Sequence, residues 1–160
     1  KFLSDSPMAD RRPTEDNPGI LDKLIGYLLG NEKRNFREVH IDASIVEEII
    51  CIARESHPKE FAALLEGKIT DEILTIQGLI FLPGKSSSQG AVMQTFMKPL
   101  ITGTVGSVHS HPTYNPHPSN ADLYVFSKNG IVHLIIAKPY DEYSLRAYDN
   151  RGIEISYKII

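Results

Sequence analysis

The sequence predicts an α/β (α+β) sandwich in which a mixed, largely antiparallel sheet is flanked by helices. Three observations carry that prediction. Apolar residues at helical spacing occupy a few stretches only, most of the others fall in short runs bounded by Gly, Pro or Asn/Asp, and the last of these runs alternate about a hairpin signal. The 160 residues contain no internal repeat and suit one main domain.

Residues 1–19 carry Pro7, Pro13 and Pro18 among Asp, Ser, Arg and Glu, with Phe2, Leu3 and Met8 as their large apolar residues. Such a stretch cannot bury enough surface to order itself, so disorder is expected, with Met8 a candidate natural start. Asn17 as N-cap and Pro18 at the first helical position lead into Ile20, Leu21, Leu24, Ile25 and Leu28, closed by Gly30. This N-terminal helix and a charged connector fill 20–38. The plain reading is that the helix covers core; the sharper one is a docking or homodimer helix.

The main domain is expected over 39–160. Residues 39–41 form a short strand, and Asp42 or Ser44 caps a helix with a buried stripe of Val46, Ile49, Ile50 and Ala53, stopped by His57-Pro58. A strand over 60–67 is closed by Gly67, and a second over 73–82 bends at Gly78. Residues 83–90 form a loop. Strands follow at 91–97 and 102–109, the latter interrupted by Gly103 and Gly106. Ser119 opens a helix to Lys128 that ends at Asn129-Gly130. The unbroken apolar run 131–137 reads as a strand buried on both faces. Residues 143–148 and 153–159 pair about the turn Asp149-Asn150-Arg151-Gly152.

Composition narrows the function classes. A formal charge of −3 without a Lys/Arg cluster argues against a protein held to nucleic acid by phosphate contacts. No apolar run reaches the roughly 18 residues that a membrane span needs. The single Cys51 can make neither an internal disulfide nor a cysteine zinc site, which fits a reducing, cytoplasmic setting. Its expected role is that of an inert thiol.

The chemistry concentrates in His109-Ser110-His111-Pro112 and Ser119-Asn120-Ala121-Asp122. At a strand end, the period of two puts both imidazoles on one face, where they can grip one metal ion. Asp122 stands three residues after Ser119, so both side chains lie on one side of the first helical turn. Two His and one Asp leave a fourth tetrahedral position open, as in catalytic rather than structural zinc sites. Such a zinc ion would bring the pKa of its water to about 7.

Plainer readings exist for each half. His-x-His arises by chance, and Ser-x-x-Asp is close to a capping box. Barrel amidohydrolases also carry His-x-His, but their chains typically run to ~250 residues. Cupins place a Gly six residues before the first His, which Gly103 matches, but Asn115 and Pro116 stand where their Glu belongs. His40, His57, His117 and His133 are expected to be ordinary histidines.

His109-x-His111-Pro112 followed by Ser119-x-x-Asp122, with Glu60 upstream in Pro58-x-Glu60-Phe61, resembles the JAMM (MPN+) metalloproteases over about residues 40–158. The resemblance implies a cytidine-deaminase-like fold and one catalytic Zn2+ held by His109, His111 and Asp122. It also implies Glu60 as general acid/base and Ser119 as oxyanion stabiliser. The implied activity is cleavage of isopeptide or peptide bonds after the Gly-Gly tail of ubiquitin-like proteins. As a compact chain it looks similar to prokaryotic, especially archaeal, forms that act on small ubiquitin-like modifiers or sulfur-carrier proteins. A non-catalytic binding module for such a partner is the alternative. The loop 83–90 and the strand after it are expected to hold the extended tail by strand addition.

Overall fold

Residues 35–81 and 103–160 are described by the computed structural model, and one eight-stranded sheet dominates them. The expected N-terminal helix, the loop 83–90 and the strand 91–97 lie outside the described residues. The elements run β1 (Glu38–Ile41), α1 (Ala43–Ser56), β2 (Ala62–Thr70), β3 (Ile73–Ile80), β4 (Thr104–Ser110), α2 (Asn120–Lys128), β5 (Val132–Ile136), β6 (Leu145–Tyr148), β7 (Glu154–Ile155) and β8 (Lys158–Ile159). Across the sheet the order is β7-β6-β5-β4-β2-β3-β1-β8. The β4/β5, β1/β3 and β1/β8 pairs are parallel, and the other four are antiparallel.

Helix α1 forms because Ile45, Val46, Ile49 and Ala53 share one face, and all four are buried. Ile50, expected in the stripe, is only half-buried. The helix start departs from expectation too. Neither the Asp42 side chain nor that of Ser44 caps it: the Asp42 carbonyl accepts from Ile45 and Val46, and the Ala43 N–H donates to the Ile160 carbonyl at 2.8 Å.

Gly67 does not close β2. The strand continues to Thr70 through a bulge, since Glu66 pairs with Gly78 but Gly67 with Ile76. The turn that ends it is Asp71-Glu72, with φ of 50° and 61° at the two residues. That left-handed pair suits a two-residue hairpin, but without the Asn-Gly or Asp-Gly that normally marks one. Nor does Gly106 interrupt β4: a Cβ there would stand 1.5 Å from the Val132 carbonyl oxygen, so glycine lets β4 and β5 close up.

The expected strand 153–159 is really two. β7 pairs with β6, whereas β8 crosses to the opposite edge beside β1. A flat sheet of eight strands would hold those edges about 34 Å apart, yet three residues span about 11 Å at most. The sheet is therefore curled until its edges approach one another.

Strand alternation sorts the core into two sides. Val132, Leu134 and Ile136 join the large cluster that includes Ile49 and Ala53 of α1. Ile135 points the other way and packs with Phe126 of α2 and Tyr148 of β6. Helices thus cover both faces of the sheet, as the predicted sandwich requires, and the face under α2 carries the site.

Candidate metal centre and active site

β4 delivers the histidines and α2 delivers the carboxylate. His109 pairs in register with Ile135, whose side chain lies on the α2 side. His111 stands just past the end of β4, but its N–H donates to the Ile136 carbonyl at 2.9 Å and keeps it on the same face. Ser110 between them points the opposite way. Its Oγ accepts the Phe61 N–H at 2.9 Å, and its own N–H donates to the Phe61 carbonyl at 3.0 Å.

Ser119 is the N-cap of α2, with a reciprocal capping box. Its Oγ accepts the Asp122 N–H at 3.1 Å, and Asp122 Oδ2 accepts the Ser119 N–H at 2.8 Å. The capping box and the metal-site geometry therefore coexist in the same four residues. The box aims Asp122 back at β4.

The candidate ligand atoms of His109, His111 and Asp122 cluster within 4.8 Å of one another. His109 Nε2 lies 3.0 Å from His111 Nε2 and 3.2 Å from Asp122 Oδ1, and His111 Nε2 lies 3.2 Å from Asp122 Oδ2. A tetrahedral zinc with bonds of 2.0–2.1 Å sets its ligand atoms about 3.3 Å apart, so these residues fit the ion. The tautomer fits as well. His111 Nδ1 is 2.8 Å from the Asn115 carbonyl, which can only accept, so Nδ1 carries a proton and Nε2 is the nitrogen left to bind a metal ion. His109, His111 and Asp122 could hold a metal ion, and three ligands leave a position for substrate or water.

Electrostatics agree. Burial alone would raise the Asp122 carboxyl, but hydrogen bonds from both imidazoles, the charge of His109 and the Ser119 N–H outweigh it and hold it well below the usual carboxylate range. For His111, burial works to lower the pKa. The bonds to Asp122 and Asn115, with the charges of Asp122 and Glu60, raise it overall.

Glu60 and Ser119 line the same cavity of about 450 Å³ as the three candidate ligands. Glu60 lies two residues ahead of β2 rather than at its start. Phe61, Val125 and Phe126 supply apolar wall, and the exposed His117 also lines the cavity. Two of the histidines expected to be ordinary stand outside the candidate ligand set and make hydrogen bonds within the fold. His57 Nδ1 is 2.9 Å from Tyr140 Oη, and buried His133 is 2.7 Å from Ser107 Oγ and stacks on Phe126 at 4.2 Å between ring centroids. The roles of Ser110, Asn115 and Tyr140 were missed, because backbone carbonyls and amides carry no signal in residue type.

Comparison with known proteins agrees with this geometry. Residues 42–151 match the family model for prokaryotic homologs of the JAB domain. A Haloferax volcanii protein described as a probable metalloprotease is 31% identical over 126 residues, 74% of this chain and 78% of that one. Among solved structures, one described as JAMM, a metalloprotease-like zinc site in the proteasome and signalosome, is 31% identical with a TM-score of 0.58, over 78% of this chain and 99% of its own. A JAB1/MPN-domain protein of Archaeoglobus fulgidus is 30% identical with a TM-score of 0.58, covering 77% and 97%. A Desulfitobacterium hafniense protein at 19% identity and a TM-score of 0.52, covering 76% and 91%, shares the fold. The family match spans well over half of the chain and encloses the His/His/Asp cluster, so this protein belongs to the JAMM-type (JAB1/MPN) metalloproteases, in their prokaryotic JAB group.

Proposed function

We propose that the protein is a zinc-dependent isopeptidase or peptidase that cleaves after the C-terminal Gly-Gly tail of a ubiquitin-like small modifier or sulfur-carrier protein. One observation carries the reading above all: the three candidate ligands, the Glu60 carboxylate and the Ser119 hydroxyl line one cavity. The catalytic domain is assigned to 39–160, with one zinc ion held by His109, His111 and Asp122. A lone cysteine, exposed and free, fits action in the cytoplasm.

Bound zinc would supply a Lewis acid that polarises the scissile carbonyl and brings the ionisation of water near neutral pH. Glu60 takes the proton from the attacking water and returns it to the leaving amine. Ser119 is suited to the oxyanion. Its Oγ uses a lone pair on the Asp122 N–H, which leaves the hydroxyl proton to donate to the negative oxygen that develops. Glycines at the cleaved end have no side chain to hold the peptide away from these groups.

Incubation with a lysine conjugate of a Gly-Gly-tailed modifier, followed by mass spectrometry of the new termini, tests this. The expected products are a free Gly-Gly carboxyl terminus and an unmodified lysine, lost with chelator and restored by zinc. Binding of the conjugate without cleavage in any arm would instead make the protein a non-catalytic binding module.

A further inference from the structure

Tyr140 has an unusual backbone for an aromatic residue. Its φ is +60°, in the left-handed region that bulky side chains rarely enter, and the residue is buried. Such a conformation persists where the surroundings over-determine it. The Tyr140 N–H donates to the Ala137 carbonyl at 2.9 Å, and the phenol donates to the His111 carbonyl at 3.0 Å. Since that carbonyl can only accept, the phenol proton is committed to it, and His57 Nδ1–H must be the donor in the 2.9 Å contact with the phenol oxygen.

We infer that Tyr140 is a positioning residue: by joining His57 to the carbonyl of His111, it sets where Glu60 stands relative to the metal-binding imidazoles. Glu60 lies between two anchors. On one side Phe61 is bonded twice to Ser110, and on the other His57 reaches His111 through Tyr140. Both anchors end on the adjacent residues that carry or flank the second imidazole. The remaining bonds of the segment, His57 N–H to Ala53 and Lys59 N–H to Ser56, tie it to its own helix and not to the site.

The inference rests on Glu60 serving the metal site, and the test separates the two. Cobalt(II) is loaded into the full chain and the pH midpoint of its visible absorption is followed, with zinc affinity measured by chelator competition. Glu60→Gln removes a negative charge and should lower the midpoint by about one unit. Tyr140→Phe and His57→Ala should each lower it by about half as much, and the double variant no further than the larger single one. Zinc affinity should stay within about tenfold of the unaltered protein. A midpoint moved by Glu60→Gln but not by Tyr140→Phe or His57→Ala overturns the role of Tyr140 alone. No movement in Glu60→Gln overturns the role of Glu60, and this one with it. Single effects that sum in the double variant, or a zinc affinity in Tyr140→Phe as poor as in His111→Ala, also overturn it. His57 is exposed, so its variant carries the test if Tyr140→Phe folds poorly.

Discussion

Tyr148 donates its phenolic proton to the Pro116 carbonyl across 2.6 Å, and so β6 holds the loop that joins the histidine half of the site to the aspartate half. Its ring also lies 6.3 Å from that of Phe126, which is 6.4 Å from His109. Tyr148→Phe keeps the ring and deletes the bond. We expect about 1–2 kcal/mol of lost stability and about a tenfold loss of zinc affinity, read by denaturation and by chelator competition. Unchanged affinity would show that the loop keeps its shape without Tyr148.

The same phenol predicts a pH dependence. Burial, and after it the charge of Glu154, pushes the Tyr148 pKa up to about 12. The folded chain therefore holds this proton more tightly than the unfolded chain, whose tyrosines titrate near 10. Its stabilising contribution is complete below pH ~10 and lost as the pH rises through about 12. Denaturation of metal-free protein between pH 9 and 12 should show the decline, with a shallower slope in Tyr148→Phe.

Gly106→Ala should be among the most damaging single-methyl changes. The new carbon would fall on the Val132 carbonyl, a backbone atom that cannot turn aside, so β4 would have to part from β5. Destabilisation above about 3 kcal/mol is expected, seen as a large drop in melting temperature or as insoluble protein. A melting temperature near that of the unaltered chain would contradict the register of the β4/β5 pair.

Asp122→Asn separates the cap from the ligand. The amide oxygen can still accept the Ser119 N–H, so α2 should keep its start, whereas the carboxylate is gone. Zinc at about a thousand times its Kd should stabilise the unaltered protein by about 4 kcal/mol and the variant by almost nothing. Thermal denaturation with zinc and with chelator reads both. Equal stabilisation of the two would remove Asp122 from the ligand set.

The legible parts of the site were those with a local period. His109 and His111 lie two apart across a strand end, and Ser119 and Asp122 three apart at a helix start, so spacing alone puts each pair on one face. Glu60 lies far upstream and no local pattern marks it; the family resemblance singled it out, and only the fold brings it to the cavity. The alternation of Ile153, Ile155, Tyr157 and Ile159 imitates a single strand. Nothing local says that Lys158 and Ile159 pair with β1 on the far edge, because such pairing depends on non-local partners. Asp71-Glu72 turned tightly without a glycine to announce it. The tethers through Asn115 and Tyr140 use backbone carbonyls, which every residue has, so they become visible only in three dimensions.

Glu60 is proposed to move the proton in a zinc-dependent hydrolysis. Its most direct test is Glu60→Gln, with bound zinc per chain and cleavage of a Gly-Gly-linked lysine conjugate measured on one sample. Zinc at the level of the unaltered protein is expected, with cleavage slower by about 10²-fold or more. Full zinc with undiminished cleavage would contradict it.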